Sequence, residues 1–148
     1  PKNTVDLCTK YVKSCQNADG GFMYQKLTNT QSIWPRSSAG LVALYSAGIY
    51  EGKEIEMGLK FLMDHMPRGE VFRHEAFYFY GHYYAVQAMW HAGGAYWRQW
   101  YPAIRDELLG RQTHDGSWPD LTVNSEYGTA MACIVLQMPN NYLPIFQR

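Results

Sequence analysis

Two glutamates stand where a proton donor would be useful. Glu75 and Glu126 each open a long apolar stretch, and a carboxyl group in apolar surroundings has its pKa raised toward values at which it can act as a general acid. His74, beside Glu75, can serve as a base or a ligand, so Glu75, Glu126 and His74 are the candidate catalytic residues. Tyr78, His82 and Tyr127 follow in the same stretches and are the candidates for ligand binding. Each also has an ordinary structural use. A glutamate in a first turn favours the helix dipole, Ser125 can cap the helix that begins beside Glu126, and a histidine can hydrogen-bond within a core.

No metal site emerges. His74, His82 and His91 are separated by 8 and 9 positions and do not share one helical face. Cys8, Cys15 and Cys133 form an odd set without a Cys-x-x-Cys pair. On one helix Cys8 and Cys15 lie about 10 Å apart, too far for a disulfide; the three are read as buried reduced thiols. No cofactor is implied. The aromatic run from Phe77 to Tyr84, continued by Trp90, Trp97 and Trp100, offers ring faces able to stabilise a carbocation, and equally offers bulk for a core or an interface.

Positioning these residues is the work of helices. Apolar residues at 5, 8, 11, 12 and 15 have helical spacing with one buried face. Residues 36–47 are apolar on nearly every side, and Gly48 ends them as a C-cap glycine would. A second amphipathic helix runs from Glu54 to Met66, and a second apolar one from about His74 to His91, ended by Gly93 and Gly94. The third pair is Trp100–Leu109, stopped by Gly110, and 126–137, stopped by Pro139, with an apolar tail at 142–146 that packs back on the body. The alternation of amphipathic and apolar helices places the apolar ones inside. The expected class is all-α, one domain over 1–148, in three units at about 4–50, 54–95 and 98–142.

Between the helices lies a repeated heptapeptide. Gln16-Asn17-Ala18-Asp19-Gly20-Gly21-Phe22 and Gln112-Thr113-His114-Asp115-Gly116-Ser117-Trp118 both read Gln-x-x-Asp-Gly-small-aromatic, 96 positions apart. Half that distance points to a third copy near 64, and Met66-Pro67-Arg68-Gly69-Glu70-Val71-Phe72 retains the glycine and the aromatic. A period of about 48 residues belongs to stacked supersecondary units. Asp-Gly is turn chemistry: the carboxylate bonds the backbone ahead and the glycine takes positive φ. The glutamine bridges orphan backbone groups, and the aromatic plugs an apolar gap. These are structural clasps, and their aspartates are poor catalytic candidates.

The clasp between an outer and an inner helix resembles the repeat of the prenyltransferase and squalene oxidase family, through Gln16–Phe22, Gln112–Trp118 and the apolar helices at 36–47 and 126–137. The resemblance implies an α/α toroid, a terpenoid cyclase/prenyltransferase-like ring of inner helices inside outer ones. Three helical hairpins fill half of such a ring, which implies a fragment or half-ring completed by missing repeats or an oligomer. The cyclases of that family use an Asp-x-Asp-Asp acid motif, and this sequence has none. The prenyltransferase zinc set is also unmatched: Asp6 and Cys8 have its spacing on the wrong helix, and position 131, two before Cys133, is not aspartate.

The functional expectation is therefore a repeat domain that binds an apolar ligand or a protein partner on its concave inner-helix face. Alternatives are an isoprenoid-handling enzyme whose acid group is unrecognised or outside the chain, and a glycan-processing α/α barrel. Thirteen basic residues balance thirteen acidic ones, which argues against nucleic acid or an anionic membrane surface as partner. No apolar run is long enough to span a bilayer. The chain opens on Pro1 rather than methionine, so an upstream segment removed or left out is compatible with it.

Overall fold

The computed structural model describes residues 2–66 and 76–142. Within them the chain forms six α-helices: α1 (Lys2–Ser14), α2 (Trp34–Ser46), α3 (Lys53–Asp64), α4 (Tyr78–Ala92), α5 (Gly94–Arg111) and α6 (Ser125–Gln137). A short 3₁₀ turn at Met138–Asn140 follows. The described residues contain no strand, and the protein is all-α.

α2 and α4 make the centre. α6, expected inside as well, buries only Gly128, Ala132 and Val135 and leaves Ala130 and Cys133 exposed, because it packs chiefly on α4 and α5 along one face. α4 packs most extensively on α2 and also on α6, while α3 and α5 lie against them and touch each other. The side chains explain the order. α4 buries Tyr78, Phe79, Gly81, His82 and every residue from Ala85 to Met89, so it satisfies its apolar surface only with helices on several sides. α3 buries Ile55, Leu59 and Leu62 along one stripe and exposes Lys60 and Glu56. Trp34 closes the α2–α3–α4 junction, with its indole N–H on the Leu62 carbonyl at 3.3 Å.

The ends of the helices follow the chemistry of their residues. After α2, Gly48 at φ +83° donates to the Tyr45 carbonyl and Ile49 to that of Leu44, a Schellman closure. α4 passes into α5 with no loop. Gly93 ends one helix and precedes the other, at φ 63° and ψ −152°, a conformation open to glycine.

Three further expectations change. α5 starts at Gly94, well before Trp100, and runs through Pro102 and Gly110. α1 forms where expected but buries none of its residues. Val5 and Tyr11 stay 47% and 53% exposed; Val5, Cys8 and Val12 line an open groove against Ala43 and Ser46 of α2 and the following Ala47, whose short side chains leave it unfilled. Cys15 alone of the cysteines is buried; Cys8 and Cys133 are free and exposed on helix surfaces.

Both complete clasps form as expected, and their bonds correspond residue for residue. The amide N–H of the glutamine donates four residues ahead, Gln16 to Gly20 at 3.0 Å and Gln112 to Gly116 at 2.9 Å. The next backbone N–H closes the turn, Asn17 on the Gly21 carbonyl at 2.8 Å and Thr113 on that of Ser117 at 2.9 Å. The aspartate accepts from the N–H two residues on, Gly21 to Asp19 at 2.9 Å and Ser117 to Asp115 at 3.0 Å. The aromatic N–H then reaches a hydroxyl on the next helix, Phe22 to Ser37 at 2.8 Å and Trp118 to Thr129 at 3.0 Å. Phe22 and Trp118 are both buried, and truncating such a ring costs about 3–5 kcal/mol. Most of the middle copy, at 67–72, and the tail at 143–146 lie outside the described residues.

Candidate functional site

A cavity of about 410 Å³ opens where the first turn of α4 meets the end of α5 and the loop that leads to α6. Tyr78 and Phe79 supply one wall, Arg111 another, and Trp118, Pro119, Asp120, Leu121 and Thr122 the third. Local chemistry fixes each. Trp118 is held by its clasp and by an indole N–H on the Leu108 carbonyl at 2.7 Å. Asp120 folds the following turn by accepting from the N–H groups of Thr122 and Val123 at 2.8 and 2.7 Å. Gly128 lets the loop approach α6, since a Cβ there would collide with the Trp118 carbonyl and press on the Phe79 ring. Asn124 caps α6, accepting from Tyr127 N–H at 2.8 Å; the cap is thus one residue before Ser125.

The polar edge of the cavity is a three-residue cluster. The Tyr78 hydroxyl donates to Glu107 at 3.0 Å. The Arg111 guanidinium carbon lies 3.9 Å from the centre of the Tyr78 ring, within cation–π range. Its Nε is 3.6 Å from Glu107, and both of these side chains are 14% exposed. Burial, then the Glu107 charge, raises the Tyr78 phenol far above its ordinary range, so it stays a donor.

Of the residues expected from sequence, Tyr78 lines this cavity. His82 sits one helical turn behind it, fully buried in a box of rings, with Tyr78 at 4.4 Å, Trp34 at 4.8 Å and Trp100 at 5.9 Å between centroids. Burial, and secondarily the Arg111 charge, holds His82 well below its ordinary pKa, so it is neutral. Neither ring nitrogen has a hydrogen-bond partner among the described residues. Tyr127 is half-buried beside the cavity; its phenol is raised by burial first, then by Asp120, Tyr80 and Tyr84. Glu126 is exposed in the first turn of α6, outside the cavity wall. His74 and Glu75 lie outside the described residues.

Sequence reasoning missed Arg111, Asp120, Leu121 and Thr122. Arg111 directly precedes the clasp, and the other three follow it after Pro119, so clasp position was the available signal. Loop residues carry no periodicity to mark them.

No family model, no curated protein and no solved structure matches this chain at a significant level.

Proposed function

We propose that the chain is a toroid segment of the prenyltransferase and squalene oxidase repeat type that binds an apolar ligand at the first turn of α4. The toroid reading is supported by the neighbouring apolar helices α2, α4 and α6, the flanking α3 and α5, and the two matching clasps. The ligand reading is carried by one observation: a cavity of about 410 Å³ walled largely by Tyr78, Phe79, Trp118, Pro119 and Leu121. Apolar surface left open to water gains about 25 cal/mol per Å² when a ligand covers it.

Titration with farnesol and dodecanol, followed through tryptophan emission, tests this directly because Trp118 forms part of the wall. A saturable change is expected, and it should disappear in Leu121→Glu. Leu121 is 85% exposed, so that variant leaves the fold intact. Absence of saturable binding in the wild-type chain would end the ligand reading.

A second reading is a protein partner over the inner helices. It is favoured by partly exposed rings on α4 and α6: Tyr80, Tyr83, Tyr84 and Tyr127. Tyr84 meets Tyr80 and Tyr83 edge-on, each at 4.9 Å. Light scattering after gel filtration separates the two readings. A dimer or larger assembly supports the covered face, and a monomer that retains ligand supports the cavity.

A further inference from the structure

We propose that the ligand of this cavity is an amphiphile with a carboxylate head, paired to Arg111, and a tail lying along Phe79, Trp118 and Leu121. The inference rests on the apolar-cavity reading above and adds the head group.

Arg111 is the last residue of α5, and its side chain is 14% exposed. Its guanidinium carbon lies 3.9 Å from the centre of the Tyr78 ring. The N–H groups of a guanidinium form a fork that takes a planar acceptor. Glu107 does not fill that place: it approaches Nε at 3.6 Å, beyond hydrogen-bonding distance, and already accepts from the Tyr78 hydroxyl. Beyond Glu107 and that hydroxyl, Arg111 has no acceptor among the described residues. No nitrogen of Arg111 is both buried and unpartnered, so the N–H groups without a protein acceptor remain accessible to a ligand, and a charge-assisted bond to them is stronger than a neutral one. A carboxylate matches the fork with two parallel bonds.

The acidic residues limit the charge of the head. Asp120 lines the cavity, and Glu107 adjoins it through Tyr78. Among the described residues the lining offers one guanidinium, and a dianionic phosphate meets the carboxylates with twice the charge of a carboxylate head. The site thus selects a monoanion on an apolar tail. The apolar lining available to a tail is the accessible edge of the largely buried Phe79 and Trp118 together with the exposed Leu121.

The test is a matched series: dodecanoic acid, dodecanol and dodecyl phosphate, each below its micellar concentration, titrated by calorimetry into the whole chain. The acid is expected to bind at least about tenfold tighter than the alcohol, the size of one charge-assisted pair, and tighter than the phosphate. Arg111→Gln should abolish the preference, so that the variant binds acid and alcohol equally. Asp120→Asn, which keeps the acceptor for Thr122 and Val123, should tighten the acid several-fold. Equal binding of acid and alcohol by wild type overturns the head-group inference and leaves the apolar reading standing; failure of both to bind overturns both. Phosphate binding tighter than acid, or undiminished acid binding by a folded Arg111→Gln, overturns the inference as well. Should Arg111→Gln fail to fold, the wild-type series and Asp120→Asn decide the matter without it.

Discussion

In the first clasp Gln16 donates to Gly20 and also, at 2.8 Å, to the Glu54 carbonyl in the first turn of α3. In the last clasp Gln112 donates to Gly116 alone among the described residues. The surroundings differ in the same sense. Gly20 is buried against the Met57 backbone, whereas Gly116 is exposed and a Cβ there would meet only Gln112, at 3.8 Å. Lys13 adds an ion pair with Glu54 at 3.4 Å beside the first clasp. The heptapeptide therefore folds by bonds it makes with itself and with one hydroxyl of the next helix. What a clasp contributes to stability depends on whether another helix is seated on it.

The largest expected contrast is at glycine. Gly20→Ala combines a left-handed backbone, at φ +90°, with a collision against Met57, and should destabilise by about 3 kcal/mol or more. Gly116→Ala carries the backbone strain alone, at φ +86°, and should lose about 1–2 kcal/mol. Urea unfolding of the two variants checks the pair, and equal losses would break the comparison. Next comes the glutamine. Gln16→Ala leaves two carbonyls short and should cost about 2 kcal/mol, while Gln112→Ala, at an exposed bond, should cost about 0.5–1 kcal/mol. The same unfolding measurement reads both.

A smaller effect is expected at the hydroxyls. Ser37→Ala strands the Phe22 N–H in a buried position, at about 1 kcal/mol or slightly more. Thr129→Val does the same to Trp118 where the bond is only partly buried, and should cost less. The smallest effect belongs to Asp115. Bonds from Thr113 and Ser117 lower its pKa from 3.8 to about 2. Its contribution is complete above the ordinary carboxylate range and fades as pH falls from about 4 toward 2. Asp115→Asn should flatten that limb of an acid titration. The limb is separable from that of His82, which is neutral in the folded chain and takes a proton on unfolding, so stability falls with pH below 6.5. His82→Phe should weaken the fall in stability below pH 6.5 and leave the Asp115 limb in place.

These contrasts also mark what the amino-acid pattern conveys. The turn, the glutamine bridge and the buried aromatic were legible because their bonds span at most a few residues. The same holds for the apolar helices, whose character is continuous along the chain. The start of α5 was not, because Arg98, Gln99 and Pro102 interrupt its periodicity while Gly93 and Gly94, both at positive φ, supply the junction. The half-exposed face of α1 was not either, since its burial is decided by the small residues of α2 opposite. The candidate site was half legible. Tyr78 belongs to a helix with a visible pattern, but Arg111 and Asp120 become neighbours only through tertiary contact. His82 was visible as a polar residue on an apolar helix; its box of Trp34 and Trp100 comes from distant parts of the chain.

The bond that closes each clasp, Asn17 N–H to Gly21 and Thr113 N–H to Ser117, makes the pair a built-in clock for amide exchange. Both protons are held by the same geometry, so any difference in their rates reports how each region opens. Thr113 can be released by a local fluctuation of an exposed loop, at a rate nearly independent of denaturant. Asn17 is backed by α3 through Gln16, and its proton should leave only when that helix lifts away, at a rate that climbs with denaturant.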